Sequence, residues 1–175
     1  NRPVVWTLRD MWAFTGGCHY SKDCVQYEVQ CGQCPILNSG AERDMTRRLW
    51  SRKSKAWRDV PLTIVTISKW LADCAKSSTL FKDCRVEVIH NALDVDKFKP
   101  IQKDVARHAL GLPQEKKLIL FGAISSTTDP RKGFAYLQEA LRYLSDSEHA
   151  AEMTAVIFGA SKPTQSTETD IPSLY

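Results

Sequence analysis

Residues 61–75, PLTIVTISKWLADCA, decide the fold class. Pro61 to Ile67 is short, apolar and rich in β-branched residues, the pattern of a strand covered on both faces. Ser68 then offers a hydroxyl to the free N–H groups of a helix start. Trp70, Leu71, Cys74 and Ala75 fall on the apolar side of that helix, with Cys74 acting as a small buried hydrophobe. A strand running straight into a capped helix is half of a parallel-sheet unit, because parallel strands need a crossover to return.

The alternation continues in both directions. Upstream, Pro3 to Leu8 (PVVWTL) reads as a buried strand. Arg43 to Arg58 reads as an amphipathic helix, with Met45, Leu49, Trp50 and Trp57 inward and Arg47, Arg48, Arg52, Lys53 and Lys55 on a solvated face. Downstream, Arg85 to Ile89 alternates as a third strand and enters HNALDVDKFKP, which ends at Pro100. Lys103 to Leu110 is helical and closed by Gly111 and Pro113. The chain then restarts with a strand at Lys117 to Ala123 (KLILFGA), a polar loop (SSTTDPRKG) and a helix from Phe134 to Leu144. That helix carries Leu137, Ala140, Leu141 and Leu144 on one face. Thr154 to Gly159 (TAVIFG) is a further strand, and the polar residues after it read as a loop or frayed end. The expected class is α/β, with parts of two Rossmann-like parallel-sheet domains. Each is incomplete, at two or three strands where about five or six are usual. The boundaries are residues 1–98, a connector and linking helix at 99–116, and a second unit from 117 to 175.

Composition narrows the function classes. The 175 residues are 43% apolar and 25% charged, as in globular proteins, and the net charge is +4. That mild excess suits an anionic small ligand or a lipid surface. Nucleic-acid binding through the basic helix is excluded as the main reading, since no aromatic stacking platform or reader motif accompanies the charge. No window reaches the ~18 apolar residues of a membrane span, and residue 1 opens no export signal. The start lacks Met and enters a strand almost at once, so the chain is expected to be an internal segment of a longer, cytoplasmic protein.

Three groups could carry chemistry. Arg9 and Asp10 follow the first strand, and ligands of open α/β sheets bind beyond the carboxyl ends of strands. Cys18, Cys24, Cys31 and Cys34 include a C-x-x-C pair, a spacing that lets neighbouring thiolates wrap one ion. Structural zinc, disulfides and reduced thiols all remain open there, and His19 could replace a cysteine as ligand. Asp129-Pro130-Arg131-Lys132-Gly133 lies between a strand and a helix, where a helix N-terminus and two cations suit a diphosphate. With Gly122 this makes neither a Walker loop nor a dinucleotide fingerprint.

The ordered series TLRDMWAFTGGCHYSKDC...CGQCP, IVTISKWLADCAKSS, VEVIHNALDVDKFKP and LILFGA...TDPRKGF resembles group 1 (family four) glycosyltransferases. It is most similar to the subgroup with a cysteine-bearing loop, which serves bacterial surface and extracellular polysaccharide synthesis. The resemblance implies a GT-B fold and transfer of a sugar from a nucleotide-sugar to a saccharide or lipid-linked acceptor, with retention and without a catalytic metal. It further implies an acceptor-side domain in residues 1–98 and the start of a donor-binding domain from Lys117. Lys132 matches the family's phosphate-contacting lysine, with Gly122, Arg131 and Gly133 around it, and Arg9 and Asp10 lie where the transferred sugar would sit.

Three departures stand out. The family's usual His-Asp is Arg9-Asp10, its Gly-Arg is Gly122-Ala123, and its Asn-Gly is Asn91-Ala92. The downstream glutamate pair of the family falls outside the chain, so the chain alone is expected not to turn over. The basic helix 43–58 could meet an anionic membrane. The competing reading is a non-catalytic, zinc-stabilised α/β binding module.

Overall fold

The computed structural model describes residues 2–125, 127–159 and 171–174. The chain forms two compact units, Asn1–Lys97 and Phe98–Tyr175. Each holds one three-stranded sheet in which every pairing is parallel. The class is therefore α/β with Rossmann-like parts. No family of folds beyond that is fixed by the topology alone.

In the first unit the strands are β1 (Val4–Leu8), β2 (Leu62–Thr66) and β3 (Arg85–Val88), in the order β1-β2-β3. Helix α1 (Met45–Trp57) lies between β1 and β2 in sequence, and α2 (Lys69–Ser77) between β2 and β3. The register aligns Leu8 with Thr66 and Thr66 with Val88, so the three carboxyl ends finish side by side. Ser68 caps α2 as its position implies, its Oγ accepting the Leu71 N–H at 3.2 Å. Asp44 does the same for α1, taking the N–H of Arg47 at 3.1 Å.

The core gathers on Phe14, Ile64, Leu71, Ala75 and Phe81. Phe81 is fully buried, stacks on Trp57 at 5.3 Å and meets Trp6 edge-on at 6.3 Å. Burying one such side chain is worth about 1.5–3 kcal/mol, so this aromatic group anchors β1, α1 and the segment after α2 together.

Several expectations need correction. Val4 and Val5 are exposed rather than buried, and among the described residues β1 pairs with β2 alone. On α1, Lys53 is buried and Met45 is exposed, the reverse of the expected faces. The helix is turned so that the lysine amine reaches backbone carbonyls of the preceding loop. On α2, Trp70 is exposed and Ala72 takes the buried place.

In the second unit, β4 (Lys117–Gly122), β5 (Met153–Phe158) and β6 (Ser173–Leu174) run in that order, with α4 (Phe134–Ser145) between β4 and β5 in sequence. Helix α3 (Lys103–Ala109) precedes the sheet. Leu141, Ala150, Ala155 and Ile171 form its core, with Leu137 and Leu144 packed against them, while Ala140 is exposed. Part of the expected tail is ordered as β6, and residues 160–170 of that tail lie outside the described residues. Among the described residues no helix is long and apolar enough to cross a membrane.

Candidate functional site

Because the carboxyl ends of β1, β2 and β3 coincide, the residues that follow them share one edge. Arg9 leaves β1 there and its Nη1 donates to Asn91 Oδ1 at 3.2 Å, just beyond β3. His90 is held at the same edge by Ile67 O, 3.0 Å from its Nδ1. Asp10 accepts the Trp12 N–H at 2.8 Å with one carboxylate oxygen and meets His19 Nδ1 at 2.8 Å with the other. The backbone seals this pairing, since Met11 N–H donates to His19 O at 2.9 Å.

Burial pushes the Asp10 carboxyl up, but the bonds from His19 and the Trp12 N–H outweigh it, leaving its pKa below the ordinary carboxylate value. An ionised carboxylate fixing Nδ1 of an exposed imidazole leaves the other ring nitrogen for a ligand hydroxyl or a proton. His19 thus stands against Asp10 and does not line the cysteine cavity, where it was the alternative to a cysteine as ligand.

The four loop cysteines converge. Cys18, Cys24, Cys31 and Cys34 line one cavity of about 20 Å³, and none is disulfide-bonded. Burial pushes the Cys31 thiol up to about 11, and raises Cys18 as well. Several bonds tie the loop to α1, among them one from Arg47 Nε to Cys31 O. Cys34 N–H donates to Asp44 Oδ2 at 2.9 Å, and Lys53 Nζ donates to Thr15 O at 3.0 Å and to Trp12 O. Lys53 also lies over the Trp12 ring, 3.8 Å from its centroid. Its burial lowers the ammonium pKa to about 8.

In the second unit α4 starts at Phe134 without a side-chain cap, and the polar stretch after β4 ends just ahead of it. A single 3₁₀ turn at Pro130–Lys132 precedes α4, and Asp129 serves it: its Oδ1 accepts the Arg131 N–H at 3.0 Å and its carbonyl accepts that of Lys132 at 3.0 Å. The Arg131 guanidinium closes on Asp129 Oδ2 at 2.6 Å, a short charge-assisted bond. Lys132 is exposed. Gly133 bridges the turn and α4 with φ +79°, a left-handed conformation that suits glycine. A Cβ on Gly122 would meet the exposed Phe158 ring at 2.1 Å, so a side chain there would have to displace that ring.

Sequence reasoning reached Arg9 and Asp10 but not their partners. His19 was masked by the cysteines beside it. Asn91 was within reach, because parallel strands β1 and β3 must deliver Arg9 and Asn91 to one edge. The partners of Lys53 lie 38 and 41 residues away, beyond any periodicity argument.

In open parallel-sheet α/β architectures, ligands commonly bind beyond the carboxyl ends of the strands, where these paired polar groups stand. One curated relative is similar: a protein of Escherichia coli (strain K12) named provisionally as the colanic acid biosynthesis glycosyl transferase WcaC, 29% identical over 97 residues. The match takes in 53% of this chain and 24% of the relative, so the chain spans about a quarter of that protein's length. No family model matches, and no solved structure matches significantly.

Proposed function

We propose that this chain is a segment of a glycosyltransferase of polysaccharide synthesis, moving a sugar from a nucleotide-sugar to a saccharide or lipid-linked acceptor with retention of configuration. The observation that carries the reading is the Asp10–His19 pair beside Arg9–Asn91 on the carboxyl edge of a parallel sheet, in a chain similar to a protein named as a glycosyl transferase. In this reading residues 1–98 belong to the acceptor-side domain of a GT-B enzyme and residues from 117 onward begin the donor-binding domain. Asp10 and His19 take hydroxyl groups of the sugar, and Arg9, held by Asn91, faces developing negative charge. Lys132 contacts the donor diphosphate, and Asp129 keeps Arg131 oriented beside it. No metal is needed for this electrostatic work.

The exposed face of α1 supports a second element of the reading. Arg43, Arg47, Arg48, Arg52 and Lys55 line a groove of about 670 Å³. Such a cationic groove suits the anionic inner leaflet and a peripheral, cytoplasmic placement.

Thermal-shift titration of the native protein with UDP and GDP tests the donor assignment. Stabilisation by one of them, lost in Lys132→Ala, is expected. No stabilisation by any nucleoside diphosphate would favour the non-catalytic binding module.

A further inference from the structure

We propose that Cys18, Cys24, Cys31 and Cys34 form a structural zinc site that fastens the loop between β1 and α1. All four line a single cavity whose volume, about 20 Å³, accommodates about one water-sized sphere. No carboxylate or histidine lines it, so the anionic donors open to a cation there are the four cysteine sulfurs, a set that favours zinc among common divalent ions.

The backbone is shaped for convergence. Gly32 (φ +148°) and Gln33 (φ +45°) lie between Cys31 and Cys34, and Lys22 (φ +52°) bends the spacer ahead of Cys24. Gly16 N–H donates to Cys31 Sγ at 3.1 Å, the kind of donor that steadies a thiolate. Gly16 has to be glycine for this approach, because a Cβ there would sit 2.9 Å from Cys31 Cβ.

Charge points the same way. Zinc with four thiolates carries a net charge of −2, and two cations flank the cluster. Lys53 is buried within electrostatic reach of Cys18 and Cys31, and Arg47 donates to the Cys31 carbonyl. In the present arrangement no three His, Cys, Asp or Glu side chains among the described residues are already grouped as ligands. Ion binding draws the sulfurs inward, and the four thiols give their protons to solvent as they become thiolates. Since Cys18 directly precedes His19, the ion would fix the backbone that presents this imidazole to Asp10. The site stands whether or not the protein transfers sugars.

Elemental analysis of the native protein, purified without added metal, tests this. About one zinc per chain is expected, with none of the four loop cysteines reacting with a thiol reagent until a chelator and denaturant are added. Replacement by cobalt(II) should give the visible bands of a tetrahedral thiolate site. Because Cys31→Ser can unfold the loop outright, Cys34→His provides the second arm: it keeps a ligand and should retain metal with a shifted cobalt spectrum. Cys84→Ser should leave the zinc content unchanged. Zinc near zero with free thiols, a mass deficit from disulfides in the loop, or iron with cluster absorbance would each overturn the proposal.

Discussion

Replacing Lys53 by Met tests how the cysteine loop is held to α1. The side chain keeps its length and loses its donors. Lys53 is 7% exposed, and its ammonium serves the carbonyls of Trp12 and Thr15 while resting over the Trp12 ring. Leaving a buried carbonyl unpaired costs about 1–3 kcal/mol, and Thr15 O is the buried one at stake, whereas Trp12 O also accepts from the Thr15 hydroxyl at 3.5 Å. Loss of the cation–π contact adds roughly 0.5–1 kcal/mol. Against this, the variant no longer buries an ammonium whose pKa is already pulled down to about 8, so part of the cost is returned. The net expectation at pH 7 is a loss of about 1–3 kcal/mol, or ~3–8 °C in melting temperature. Urea denaturation followed by tryptophan fluorescence reads it well, because Trp12 and Trp57 both lie near the lysine. A variant within ~0.5 kcal/mol of the parent would refute the view that this amine holds the loop.

Three further outcomes follow from the same geometry. Gly16→Ala puts a Cβ 2.6 Å from Thr46 O, a backbone atom that cannot swing away, so a loss of about 1–3 kcal/mol by urea denaturation is expected; a neutral result would contradict that packing. The Asp129 carboxyl is held down to about 2 by the Arg131 side chain and N–H. Its folded pKa lies below the unfolded value of ~3.9, so its contribution is complete above that value and lost as pH falls towards 2. Circular dichroism during acid titration should therefore show a flatter acid limb for Asp129→Asn, and an unchanged limb would remove Asp129 from the account. Asp10→Asn breaks the charge that fixes His19 and, in the proposed sugar transfer, should lower kcat/KM roughly 10–100-fold with a small change in melting temperature. Equal activity would detach this pair from catalysis.

Much of the fold could be read from local pattern. The β-branched run at Pro61–Ile67, the Ser68 cap and the restart at Lys117 carry their own physical reasons, and each element formed where those reasons placed it. What escaped was decided at a distance. Periodicity gives a cation such as Lys53 to solvent because its carbonyl partners belong to another segment. The burial of β1 depends on whether a neighbour covers its outer edge, which a run of valines does not reveal. Trp70 and Met45 share a helical stripe with buried residues, yet small rotations of α2 and α1 leave them in water. In the site, the strand-end position marked Arg9 and Asp10, while His19 reaches Asp10 only through a loop that folds back to bring His19 O onto the Met11 N–H. That return is a tertiary event.

The most direct test of the account is turnover. The native protein is incubated with a panel of nucleotide-sugars and a lipid-linked saccharide acceptor, and released nucleoside diphosphate and the anomeric configuration of the product are measured. The account expects one donor to be consumed, the sugar to appear on the acceptor with its configuration retained, and Lys132→Ala to suppress the reaction. Consumption of no donor, together with no binding of any nucleoside diphosphate, would contradict it.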